Sequence, residues 1–289
     1  MAKNKFDISE YRKNELSDLA EFIADEYFRD TLVCPHRLAQ EYKLTTSFDD
    51  YKNAFDGLLE HRFGRFHIYL NSSKVKHKYE PRVRFTLAHE LGHYLIDEHR
   101  NALQMGLAPS HPSFTDFSSD NEVELEADFF ASSLLMPKSR ILRDVNNRKF
   151  SFNLIEELAT KYQTSITATL IKFASIGNHP LMIVCSVNKK IKWFKYSDDF
   201  PFKYFNTMPD HKFSPIKHGD KRFEIRVPKD TAAGQYFYQN GLKCEDNYEI
   251  VDAEDWFKLY YDEDYGRKFY EHCIFSDRNK FVLSILWED

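Results

Sequence analysis

The chain has 289 residues, 42% of them hydrophobic and 16% aromatic, which excludes a disordered polymer and gives length enough for two domains with sizeable cores. A net charge of -5 excludes a broadly basic binder of nucleic acid or membrane surface and leaves room only for local basic patches. The opening MAKNKFDISEYRKNE has no apolar run and no later stretch reaches about 18 uninterrupted apolar residues, so neither a signal peptide nor a membrane span is expected, and the expected location is cytoplasmic.

Residues 8–29 set Leu16, Leu19, Ala20, Ile23 and Phe28 at helical spacing with charges on the other side, which predicts an amphipathic helix. Pro35 starts a second, short helix through Tyr42, with His36 read as a surface or capping residue. From residue 45 to 71 the pattern turns extended. Segments 55–62 and 65–71 flank Phe63-Gly64, and Phe66, Ile68 and Leu70 alternate with Arg65, His67 and Tyr69 as in a half-buried strand. Two readings stand for it: an ordinary member of a sheet, or an edge along which an extended peptide pairs. Lys74, Lys76 and Lys78 with His77 read as a solvated loop.

Pro81 then introduces the stretch on which the rest depends. Residues 83–96 read VRFTLAHELGHYLI, apolar nearly all round, so the segment predicts a buried helix. Within it His89, Glu90 and His93 form an HExxH. Buried ionisable groups are costly unless something compensates them. Imidazoles four residues apart share one helix face, so both can bind a single metal ion, while Glu90, one residue round from His89, points beside the metal, where a general base for an activated water belongs. Gly92 between the ligands lets another backbone come close.

A third ligand is needed. Asp97 shares the face but lies about 12 Å from His89 along a continuous helix. His99 has the metzincin spacing, which places Gly three residues after the second His; Ile96 stands there instead. The strongest candidate is on residues 119–136, a helix expected to open with Ser119 and Glu122 as a capping box and to end at Pro137. On it Glu124, Ala127, Asp128, Ala131 and Leu135 share a face. That makes Glu124 the candidate ligand and Asp128 a hydrogen-bond partner standing behind a ligand histidine, with Glu126 as runner-up ligand. Macrodipole stabilisation alone accounts for Glu122.

These paired motifs, RFTLA-HELGH and ELEADFFASSLLMP, resemble the ImmA/IrrE family of zinc metallopeptidases over roughly residues 15–175. The resemblance implies a gluzincin-like fold, Zn2+ held by His89, His93 and Glu124, a catalytic Glu90, and an intracellular protein substrate, a helix-turn-helix transcriptional repressor.

Residues 100–117, with Gly106, Pro109 and Pro112, read as a loop near the site; His111 in it, or Tyr94 on the helix, is a candidate for oxyanion stabilisation, with a structural role favoured for each. Residues 154–174 predict two short helices about a Tyr-Gln-Thr-Ser turn, resembling a helix-turn-helix, whose second helix offers Lys172 as its one cation, too little for phosphate contact. Beyond Gly177 strands are expected at 181–187, 191–196, 235–239 and 280–287, with a long polar connection at 203–221. Cys34, Cys185, Cys244 and Cys273 are isolated and read as reduced thiols.

The resulting expectation is an α+β chain: a zincin-like metallopeptidase domain over 1–145 with the HExxH helix and a small sheet, a helix-turn-helix-like segment over 146–177, and a C-terminal α+β domain over 178–289 that regulates or selects substrate. The favoured activity is zinc-dependent endoproteolysis. The alternative is a non-proteolytic regulator that binds DNA or a protein through residues 150–177, with a structural metal. Glu90 discriminates, because a structural site has no need of a base beside its ligands.

Overall fold

Ser9 starts the first helix of a computed structural model in which residues 8–107, 113, 121–176, 179–208, 225–243, 248–276 and 281–288 are described. Its hydroxyl accepts from the Arg12 N–H at 3.2 Å and caps α1 (Glu10–Phe28), which buries Leu16, Ala20, Ile23, Ala24 and Phe28. The chain is mixed α and β and divides into two compact units, Lys5–Lys172 and Phe173–Asp289.

In the first unit Pro35 opens α2 (Pro35–Glu41). A three-stranded sheet follows from β1 (Thr45–Asp49), β2 (Gly57–Arg62) and β3 (Arg65–Asn71) in the order β1-β3-β2, with β1 parallel and β2 antiparallel to the central β3. Phe63 and Gly64 join β2 to β3 at φ of 51° and 72°, the left-handed pair that a two-residue hairpin demands. Phe66, Ile68 and Leu70 are buried, as alternation requires.

They pack beneath α3 (Pro81–Leu95), which carries the HExxH and is buried at every position from Val83 to His93. Arg84 is buried with it; its guanidinium donates to the carbonyls of Val33, Tyr162 and Gln163. Buried charge is tolerated there because carbonyl oxygens replace its water. Helix α3 ends at Ile96, whose extended backbone (φ -78°, ψ 113°) turns the chain into α4 (Asp97–Gln104). The loop expected from residue 100 therefore begins later. The acidic pair Asp97 and Glu98 sits in the first turn of α4, where it complements the helix dipole, and that local preference overrides the weak periodicity.

The second motif helix is α5 (Glu122–Leu135), capped by Asn121, whose side-chain oxygen accepts from the Val123 N–H at 3.1 Å. The expected capping residue Ser119 and the oxyanion candidate His111 lie outside the described residues. Pro137 precedes α6 (Lys138–Val145). The helix pair is α7 (Phe152–Tyr162), α8 (Ile166–Ile176) and a left-handed Gln163 between them. Lys172 of α8 is buried with its ammonium on Ser133 Oγ at 3.0 Å, so it is not presented to a phosphate.

The second unit is built on an antiparallel sheet of β4 (Leu181–Val187), β5 (Lys190–Tyr196), β6 (Glu249–Asp252), β7 (Lys268–Ser276) and β8 (Phe281–Trp287), ordered β5-β4-β8-β7-β6. Two short helices, α9 (Ala232–Tyr238) and α10 (Ala253–Trp256), accompany it. The strand expected at 235–239 is helix α9. Thr231 caps it, and Gly234 allows the Pro228 carbonyl to approach where a Cβ would lie 2.1 Å away. Its first N–H groups also gain a buried acceptor. Glu271 on β7 takes hydrogen bonds from Ala232 N (2.9 Å), Ala233 N (3.3 Å), Trp256 Nε1 (3.1 Å) and Cys273 Sγ (3.3 Å).

Every one of these partners donates, which a carboxylate alone can answer at both oxygens. Glu271→Gln turns an amide nitrogen toward two donors whichever way it faces, and Glu271→Leu strands the three N–H groups. Loss of about 3 kcal/mol or more is expected for the leucine variant and a smaller loss for glutamine, read from urea unfolding of the second unit. Stability equal to the parent in both would show that these bonds contribute nothing.

Candidate metal centre

Histidines 89 and 93 lie one turn apart on α3 and turn their Nε2 atoms toward each other at 3.1 Å. Glu124, in the first turn of α5, brings Oε2 to 3.2 Å from Nε2 of His89 and Oε1 to 3.4 Å from Nε2 of His93. The helices meet so closely because Gly92 faces the second one. A Cβ at Gly92 would stand 3.1 Å from the Phe130 ring and 3.4 Å from Ala127 Cα. The small-residue face thus acts as the sequence suggests, and one ligand atom from each of the three residues lies within 4.8 Å of the others.

Those spacings fit a metal ion. Tetrahedral bonds of 2.0–2.1 Å imply ligand-to-ligand edges of about 3.3–3.4 Å; the two Nε2 atoms stand 3.1 Å apart, and each has an oxygen of Glu124, a different one for each ring, at 3.2 or 3.4 Å. The donor set is chemically apt as well: two imidazoles and a carboxylate suit a borderline divalent ion. Burial alone would depress His89, but hydrogen bonds to Asp128 and Glu124 outweigh it and lift the ring's pKa to about 10. A field that holds a proton so firmly is one a divalent cation can take over.

Ring orientation is set from behind. Asp128 Oδ1 accepts from Nδ1 of His89 at 2.8 Å, which turns Nε2 inward. Behind His93 stands His99, with Nδ1 of the two rings 3.2 Å apart, and Nε2 of His99 lies 3.0 Å from Glu126 Oε2. Arg12 of α1 grips that carboxylate, Nε to Oε1 at 2.9 Å and Nη2 to Oε2 at 2.8 Å. Burial, and the His93 ring beside it, hold His99 well below the usual histidine range, so it is neutral. Both weaker ligand candidates, His99 and Glu126, therefore stand together one layer out. The sequence signal that could have found them is the acidic start of α4 at Asp97, which breaks the helix and swings His99 back.

Glu90 is 1% exposed and sits against the first residue of β2. A Cβ at Gly57 would lie 2.5 Å from Glu90 Oε1 and 2.5 Å from Thr86 Cγ2, so glycine is what leaves the carboxylate its place. Strand β2 is an edge of its sheet, and at Gly57 its backbone is bridged by Ser113, which donates to the Gly57 carbonyl at 3.0 Å. Tyr94 instead packs edge-on against Tyr42 and Phe66 and under the Arg100 guanidinium, the structural role favoured from sequence.

Residues 44–173 match the family model described as the IrrE N-terminal-like domain, a metallopeptidase-type domain. Among solved structures the chain is similar to that of a Mycobacterium tuberculosis transcriptional regulator, at 12% identity and a TM-score of 0.56, over 96% of this chain and 90% of that one. At such identity the likeness speaks for the fold. No curated protein matches the chain. No helix among the described residues is long and apolar enough to cross a membrane.

Proposed function

We propose that this chain, which belongs through residues 44–173 to the ImmA/IrrE family, is an intracellular zinc-dependent endopeptidase acting on a protein substrate, a repressor of the helix-turn-helix kind. The observation that carries the reading is Glu90 standing one residue from His89, buried beside three converging ligand atoms. A structural metal has no use for an acid held there. The repressor as substrate rests on the family resemblance and on the similarity in fold to a transcriptional regulator.

His89, His93 and Glu124 would hold the ion. Zinc, when bound, supplies Lewis acidity toward the scissile carbonyl and acidifies water to a pKa of about 7. Glu90 accepts the proton from the attacking water as its oxygen bonds to the carbonyl carbon, and returns it to the amine nitrogen as the C–N bond breaks. Strand β2, at the edge of its sheet, starts beside Glu90 at Gly57, where Ser113 already pairs with it, and its positions beyond that bridge would offer backbone groups to an extended peptide. Residues 178–289 are read as the regulatory or substrate-selecting domain.

The alternative, a non-proteolytic regulator, draws on the same similar structure and on the α7–α8 pair. Burial of Lys172 weighs against DNA contact by that pair. The deciding experiment incubates zinc-loaded and chelator-stripped protein with the repressor encoded beside it. Cleavage by the loaded form only is expected. No cleavage by a protein with one zinc bound per chain would favour the regulator.

Gly57→Ala supplies a narrower test of Glu90. The added methyl meets the Glu90 carboxylate and the Thr86 methyl first and displaces the carboxylate, so kcat is expected to fall at least tenfold, the scale on which general bases contribute about 100- to 10,000-fold, with zinc content unchanged. Parental kcat in that variant would show that Gly57 has no part in placing the base.

A further inference from the structure

The two ligand histidines are backed by different chemistry. Asp128 takes the Nδ1 proton of His89 directly, at 2.8 Å, whereas Nδ1 of His93 meets a second imidazole, His99, at 3.2 Å. One arrangement of protons satisfies the whole chain of contacts. For Nε2 of His93 to offer its lone pair beside Glu124, the ring proton must sit on Nδ1 and be donated to Nδ1 of His99. His99 then carries its own proton on Nε2 and gives it to Glu126 Oε2 at 3.0 Å. Arg12 closes the series with two charged hydrogen bonds to Glu126, of 2.9 and 2.8 Å, which keep that carboxylate an acceptor.

Reversing any step has a consequence at the site. If His99 carried its proton on Nδ1, that N–H would face the N–H of His93. The His93 proton would be driven round to Nε2, on the lone pair a metal needs. His99 comes from α4, Glu126 from α5 and Arg12 from α1, so three helices are committed to the state of one ring.

We propose that His99, anchored by Glu126 and Arg12, is a positioning residue of the metal centre that fixes which nitrogen of His93 is proton-free. The inference rests on the reading of His89, His93 and Glu124 as ligands. It adds a histidine that Ile96, standing where the metzincin pattern has glycine, argued against as a ligand, and an arginine 77 positions before His89 in the chain.

The test uses the full chain, zinc affinity by competition with a chromophoric chelator, and the visible spectrum of the Co2+-loaded protein. His99→Leu, which accepts no hydrogen bond, is expected to weaken zinc about 10- to 100-fold, the usual effect of removing such a partner, and to shift the Co2+ bands. His99→Gln, whose amide oxygen accepts from His93, is expected to recover most of that affinity. Arg12→Gln, remote from the ligands, is expected to weaken zinc several-fold in the same direction, and it decides the matter should His99→Leu fail to fold. Parental affinity and spectrum in Arg12→Gln and in a folded His99→Leu would overturn the positioning role and leave the ligand set standing. Affinity lost in His99→Leu but not recovered by glutamine would mark His99 as packing only and overturn it as well. A parent chain that binds neither ion would remove the ligand assignment itself.

Discussion

Glu90→Gln is expected to lower peptide-bond cleavage by about 100- to 10,000-fold while the protein keeps its zinc, the range that a general base contributes. The substitution is nearly isosteric in a position that is 1% exposed and bounded by Gly57 and Thr86, so the amide fits where the carboxylate was. It removes the capacity to accept a proton and little else. Residual cleavage would come from polarisation of the carbonyl, which the three ligands leave intact. The measurement is kcat on the proposed repressor substrate together with metal content per chain. Cleavage within tenfold of the parent would exclude Glu90 as the base, and loss of zinc would reassign it to holding the ligands in place.

Zinc itself is expected to stabilise the first unit strongly. A ligand at about a thousand times its dissociation constant adds about 4 kcal/mol to the folded state, and each kcal/mol moves the midpoint of a unit of this size by about 2–4 °C. A rise of about 8–16 °C on zinc addition to stripped protein is therefore expected by scanning calorimetry. Glu124→Ala should abolish the rise, because the chain would then hold the ion by two rings alone. Glu126→Ala should reduce it without abolishing it, since that carboxylate reaches the centre only through His99. An identical rise in parent and Glu124→Ala would place the ion elsewhere.

Much of the site could be read from spacing because its geometry is local. His89 and His93 are on one helix, and helix periodicity puts them on one face without help from the rest of the fold. Glu124 was legible for a second reason: alanine and glycine at facing positions announce a close helix pair, and Gly92 does meet Ala127. What spacing could not show is where a helix stops. Nothing at Ile96 is glycine or proline, yet the backbone extends there, and Asp97 and His99 stand far off only along an unbroken rod. Segment 235–239 misled for a tertiary reason. Its tyrosines and phenylalanine favour strand, while buried Glu271 offers acceptors to the first N–H groups of a helix, and the latter prevails. Strands β6 and β7 escaped notice because the charges and short runs around them hide alternation.

Arg12 lies outside residues 44–173, the portion that matches the family model. Helix α1 nonetheless runs along α5 and buries its apolar face within the same unit. Anyone trimming this protein to its recognisable domain would discard part of the scaffold behind the histidines, and a fragment starting at Leu44 would understate how well the whole chain grips an ion. Comparison among relatives should accordingly begin no later than Ser9, with attention to whether a cation there faces an acid two residues beyond the ligand glutamate.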